Sequence, residues 1–257
     1  MLLKNKNALI YGAGGSLGGA VARAFASEDA AVFLAGRTMA PLEAVAKDII
    51  ASGGLAEIAI VDALDEKEVK GYVDAITKKA GTIDISFNAI AMEDVQGIPL
   101  YEMAAEDFMR PITIGMKSQL ITASAAAKHM IKNGAGVILS LTATPAGKAY
   151  PLTGGFGPAC SAIEAFSRNL AAELGPKGVR VVCMRSAGSP DSVVFKKAIA
   201  KERTLAKTII KEIENDTMLK RLPLMSEIAS VAVFLVSDMA SGMTGTTANI
   251  TCGTTMD

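Results

Sequence analysis

The residues best suited to chemistry stand near the start of the chain. A glycine-rich run, Gly12-Ala13-Gly14-Gly15-Ser16-Leu17-Gly18-Gly19, joins a short apolar segment to an amphipathic one. Glycines let a backbone turn tightly and approach a pyrophosphate, whose charge then rests on the N-terminus of the following helix. Glycine clusters also serve ordinary turns, but the strand–loop–helix context here points to a nucleotide site. Gly12, Gly14, Ser16, Leu17 and Gly18 are therefore the candidate phosphate contacts. The run lacks a Gly-Lys-Ser/Thr ending, which disfavours nucleoside triphosphate hydrolysis. Further on, the apolar segment Ala31–Leu34 runs into Gly36-Arg37. An acidic residue at such a point would select a ribose 2′-hydroxyl, whereas a guanidinium suits a 2′-phosphate through paired charged hydrogen bonds. Arg37 thus predicts NADP(H) rather than NAD(H).

The elements that must carry this loop are legible as an alternation. Asn7–Tyr11, Ala31–Leu34, Glu57–Val61, Ile83–Phe87, Val137–Leu141, Val179–Met184 and Thr247–Thr251 read as strands. They are apolar at nearly every position, as strands covered on both faces are. Between them lie the helical patterns Leu17–Glu28, Pro41–Ser52, Lys67–Lys79, Ala105–Lys132, Ser161–Leu174 and Glu227–Ser237. Strands alternating with crossovers of this length predict an α/β fold: a Rossmann-type, doubly wound parallel sheet of about seven strands with helices on both faces. No repeat or linker divides the chain, so residues 1–257 read as a single dinucleotide-binding domain. The charge-rich stretch 191–221, with Phe195, Ile199, Ile209 and Ile213 at helical spacing, reads either as a surface helix with one buried stripe or as a helical lid over the ligand.

Composition removes several function classes. The 257 residues carry 26 basic and 26 acidic side chains, so there is no basic footprint for nucleic acid and no polybasic patch for a membrane. With a single histidine and no Cys-x-x-Cys spacing, a metal site is not expected. Cys160, Cys183 and Cys252 are odd in number and widely spaced, which predicts a reducing compartment and a cytoplasmic protein. The apolar run after Lys4 and Lys6 reaches glycine too soon for a signal peptide, and no stretch is long enough to span a membrane.

Together these motifs resemble the short-chain dehydrogenases/reductases along essentially the whole chain. Asp62, followed by Ala63, sits after the third strand, where the resemblance implies an aspartate near the adenine. Asn88-Ala89 after strand four resembles the family's Asn-Asn-Ala-Gly, with Ile90 in place of the final glycine. Ala162-Ile163-Glu164-Ala165-Phe166, Gly178-Val179-Arg180-Val181 and Thr244-Gly245 match its later signatures. Ser186-Ala187-Gly188 is similar to a motif of the enoyl reductase branch and implies a cofactor contact at Gly188.

The same resemblance locates a gap. The family's Tyr-x-x-x-Lys falls on Phe156 and Cys160, its serine near Ala143 and its helix asparagine on Gly115. Phenylalanine carries no ionisable proton, and a neutral thiol does not replace a lysine. The hydroxyls left to take over proton transfer are Thr142, Thr144 and Tyr150, the last being the tyrosine placed nearest the expected nicotinamide. Lys148 lies close to Tyr150 in sequence. Cys160 reads as a buried inert thiol, or as a nucleophile if its helix N-terminus lowers its pKa. His129 reads as an outer-face residue.

Phe156, Met184 and Phe195 predict an apolar pocket. The reading is an NADP(H)-dependent oxidoreductase acting on a small hydrophobic carbonyl, alkene or imine with a noncanonical proton donor. The alternatives are a catalytically inactive nucleotide-binding or regulatory protein, and a non-redox enzyme reusing the pocket. The family resemblance further implies a homodimer or homotetramer built on the two long helices.

Overall fold

The computed structural model describes residues 1–201 and 203–256, without the side chains at 194, 198, 199, 201 and 203–209. Seven strands, β1 (Asn7–Tyr11), β2 (Ala31–Gly36), β3 (Leu55–Ile60), β4 (Ile85–Asn88), β5 (Gly136–Ala143), β6 (Val179–Ser186) and β7 (Thr247–Ile250), form one sheet in the order β3-β2-β1-β4-β5-β6-β7. Every neighbouring pair is parallel. The strand order reverses between β1 and β4, which opens a crevice at the C-terminal ends of the strands.

Alternation along β1 shows how the layers form. Ala8 and Ile10 point to one face, Leu9 and Tyr11 to the other. The first face packs against α1 (Ser16–Ser27), α2 (Met39–Ala51) and α8 (Met225–Val236), through Val21 and Phe25, Leu42 and Ile49, and Ala232 and Val236. The second packs against α3 (Glu66–Ala80), α4 (Ala105–Asn133) and α5 (Phe156–Leu174), through Val69 and Val73, Ala126 and Met130, and Ala171 and Leu174.

Coverage on both faces fails at β3. As the edge strand it leaves Leu55 70% and Ile60 48% exposed, because one side of it has no strand neighbour. β4 starts two residues later than its apolar run, since Asp84 accepts the backbone N–H of Asn7 at 2.8 Å and ends the preceding turn. α5 begins five residues earlier than its periodicity implies, at Phe156. The 191–221 stretch is two helices, α6 (Val193–Lys201) and α7 (Arg203–Asp216). The side chains of Ile199 and Ile209, half of the predicted stripe there, lie outside the described residues.

Candidate active site

The glycine loop leaves β1 at Gly12, whose φ of +73° belongs to the left-handed region that favours glycine. A Cβ there would sit 2.5 Å from the carbonyl oxygen of Ala89, on the neighbouring strand end. At Gly18 a Cβ would meet the carbonyl of Gly12 at 2.3 Å, so α1 can pack down on its own loop only through glycine. Gly15 caps α1 without a side-chain acceptor, which leaves the first-turn N–H groups of that helix available to an anion. Ser16 adds a long-range contact: its Oγ accepts the backbone N–H of Val193, 3.0 Å away at the start of α6.

Among the cavities that border this loop, two reach across the strand ends. The smaller, about 210 Å³, lies at the ends of β1, β2 and β3 and brings together Gly12, Arg37, Asp62, Ala63 and Ala89 with the unpredicted Glu93. Arg37 Nη2 donates to Glu93 Oε1 at 2.8 Å, and this contact raises the guanidinium pKa further. Both side chains are open to solvent, 62% and 46% exposed. Asp62 Oδ1 accepts the backbone N–H of Leu64 at 2.9 Å. Asn88 turns inward, its Nδ2 donating to Thr122 and its Oδ1 accepting the N–H of Ile90, both at 3.1 Å. It thereby fixes the turn out of β4.

The larger cavity, about 520 Å³, joins Gly14, Ser16, Leu17 and Gly18 to the ends of β4 and β5 and the start of α5. Thr142, Phe156 and Gly115 line it, and so do Asp94, Ser118 and Gln119, which the sequence did not single out. Their signal there was slight: Asp94 sits in an aperiodic loop after a strand end, the general position for ligands in such sheets. Thr144 and Tyr150 are not among the lining residues. Thr144 opens a short turn whose carbonyl accepts from Gly147 and Lys148, each at 3.0 Å. Tyr150 is half-buried beneath Lys148, whose Nζ is 5.6 Å from the ring centroid and which pairs with Asp216 of α7.

The predicted apolar trio divides. Phe156 lines the cavity. Met184 does not: it is fully buried in the first core layer, because alternation along β6 turns it towards α8. Phe195 packs its ring on Gly188, where a Cβ would meet it at 2.6 Å, so the glycine makes room for α6. Cys160 is fully buried, and desolvation pushes its thiol up to about 12, as for a buried inert thiol and opposite to the lowered pKa a nucleophile needs. His129 is partly buried, its Nε2 3.0 Å from Asp74 of α3. That contact ties α4 to α3.

Behind the cavity lies a charged pair the sequence analysis passed over. Arg185 of β6 forks onto Glu164 of α5 with Nε–Oε1 at 2.8 Å and Nη2–Oε2 at 2.7 Å, both side chains nearly excluded from water. The Thr142 hydroxyl donates to Glu164 Oε1 at 2.9 Å. The same Oγ1 lies 3.3 Å from the Met184 carbonyl and 3.6 Å from Cys183 Sγ, so the Thr142 proton is engaged by protein acceptors.

A parallel sheet of this order, with a glycine cradle after β1 and cavities across the strand ends, defines the Rossmann-like architecture of a dinucleotide-linked oxidoreductase. The chain belongs to the short-chain dehydrogenase/reductase family, and the family model described as enoyl-(acyl carrier protein) reductase matches residues 12–255. It is 31% identical to an uncharacterised oxidoreductase of Bacillus subtilis over 95% of this chain and 88% of the relative. It is 32% identical to an NADH enoyl-[acyl-carrier-protein] reductase of Rhizobium meliloti over 75% of this chain and 68% of that protein. Among solved structures, NAD+-bound xylitol dehydrogenase superimposes with a TM-score of 0.90 at 26% identity, covering 98% of this chain and all of the other. Nicotinamide cofactors are thus the family's ligands, and among the described residues no helix is long and apolar enough to cross a membrane.

Proposed function

We propose that the protein is an NADP(H)-dependent oxidoreductase that works on a small hydrophobic carbonyl, alkene or imine without the family's tyrosine and lysine. Arg37 carries the cofactor choice: it stands at the end of β2, on the wall of the adenosine-sized cavity, where a 2′-phosphate would lie. The residues fit such a cofactor. The glycine loop leaves a cradle that Cβ atoms at positions 12 and 18 would fill, and the N-terminus of α1 has no side-chain cap. Gly14, Ser16, Leu17 and Gly18 would hold the pyrophosphate. Arg37, Asp62, Ala63 and Ala89 would hold the adenosine half, and Asn88 and Gly188 would border the nicotinamide half. The cofactor supplies hydride chemistry when bound; the protein's share is to position the reacting carbon and exclude water.

In this reading Phe156 and Cys160 occupy the family's tyrosine and lysine positions. Of the three candidate hydroxyls, Thr142 is the one on the cavity wall, with Thr144 and Tyr150 beyond it. Residues 191–221 would act as the lid of a single domain, since α6 reaches the glycine loop through Ser16. Assembly into a homodimer or homotetramer would use α4, which presents Met109 and Leu120 about half exposed.

The cofactor assignment is tested by titrating the protein with NADPH and NADH and following nicotinamide fluorescence. NADPH should bind more tightly, and Arg37→Ala should abolish the difference. Equal affinities in the wild type would remove Arg37 from the site, and failure to bind either nucleotide would remove the reading. NADPH binding without turnover of any carbonyl, alkene or imine would identify a binding protein instead.

A further inference from the structure

The described lining of the larger cavity holds a single charge. Among the described residues lining it, Asp94 is the one ionisable side chain; the others are glycines, apolar groups, hydroxyls and the amides of Asn88 and Gln119. Asp94 Oδ2 accepts from Gln96 Nε2 at 2.6 Å, and among the described residues no Lys, Arg or His pairs with it.

The loop that carries Asp94 is fastened on both sides. Ile90 N–H bonds Asn88 Oδ1 at 3.1 Å, and Gly97 N–H bonds the Leu152 carbonyl at 2.8 Å. Between them Met92 packs onto Gly115, where a Cβ would lie 2.8 Å from its sulfur. The carboxylate is therefore held at the cavity rather than swept through solvent. A lone negative charge on low-dielectric walls concentrates cations.

The other groups around the cavity agree with that sign. Position 160 holds a buried neutral thiol rather than a cation that would repel a positive ligand. Thr142 gives its proton to Glu164, so it is not free to donate to a carbonyl oxygen. Phe156 places an aromatic ring on the wall, a surface that attracts cations.

We propose that this cavity binds a small cationic nitrogen compound, an iminium ion or the corresponding amine, with Asp94 as its counter-ion. The proposal rests on the oxidoreductase reading and names the substrate class for it. It also accounts for the missing acid. Addition of hydride to an iminium carbon forms one C–H bond and moves the C=N π pair onto nitrogen as a lone pair. The two electrons come from the reduced nicotinamide, which becomes oxidised, and the product is a neutral amine. No protein group has to deliver a proton in that step.

The probe is N-methyl-3,4-dihydroisoquinolinium, a permanent cation, compared with 1-tetralone, a neutral ketone of similar shape. Binding is measured calorimetrically with and without NADPH, and NADPH binding is measured separately. The cation should bind at least about tenfold more tightly than the ketone, and Asp94→Asn should lose roughly that factor for the cation alone. Asp94→Glu should keep the preference, and NADPH should convert the cation to the N-methyl tetrahydro amine. Equal binding of cation and ketone, no binding of the cation, or an Asp94→Asn variant that folds and retains the preference would each overturn the proposal. If NADPH does not bind while the cation preference still depends on Asp94, the cofactor reading fails and the site assignment stands.

Discussion

Two arginine–carboxylate pairs in this molecule close to almost the same distance in opposite surroundings. Arg185–Glu164 closes at 2.7 Å with both side chains under a tenth exposed, and Arg37–Glu93 closes at 2.8 Å with both largely in water. The first pair stands between β6 and α5, where neither charge can find water if its partner goes. The second stands on the wall of the smaller cavity, where solvent screens it and either charge can find water without its partner. The lengths are alike, although the first pair is forked and the second rests on one contact; exposure sets how strongly each charge depends on its partner.

The largest test of that contrast is to remove one buried partner. Arg185→Met leaves the Glu164 carboxylate uncompensated and should cost about 3–5 kcal/mol of stability in urea denaturation. The double variant Glu164→Gln/Arg185→Met should recover most of it, because the isolated charge is what costs. A single variant as stable as the wild type would break the contrast.

A second test uses the neutral groups in the same buried region. Burial pushes Cys160 and Cys183 from 9.0 to about 12. Between those values the unfolded chain has lost these protons while the folded chain still holds them. Stability contributed by these thiols is thus complete below pH 9 and falls as the pH rises from 9 towards 12. In thiol labelling at pH 8, half-buried Cys252 should react first and the other two only on unfolding. Three thiols reacting together in the native protein would contradict this.

The smallest expected effect is at the exposed pair. Glu93→Gln frees Arg37 and should raise NADPH affinity by about threefold, in keeping with an exposed pair at under about 1 kcal/mol, while NADH affinity and stability stay unchanged. A loss of NADPH affinity would mean that Glu93 positions Arg37 for the phosphate rather than competing with it.

The two sides of the site were not equally legible from the chain. Gly12, Gly18 and Arg37 could be picked out because their signals are local: a backbone that needs glycine, and a strand end that carries one side chain. The alternation of seven apolar runs with amphipathic helices likewise prescribed the doubly wound sheet, since each element's periodicity is a property of its own few residues. The reading that the family's serine, tyrosine and lysine positions fall at 143, 156 and 160 likewise came from counting along one segment. Met184 was misplaced because a strand's alternation says that two faces exist, not which of them meets the cavity.

The pairings needed the folded chain. Glu93 lies 56 residues from Arg37, and Arg185 lies 21 from Glu164; only the strand order puts them together. That order also delivers Asp94 to the cavity wall and turns the Thr142 proton away from it. Residue types and periodicities set which groups the molecule owns. The charge of its pocket arises from contacts between distant segments, and those exist only once the layers have packed.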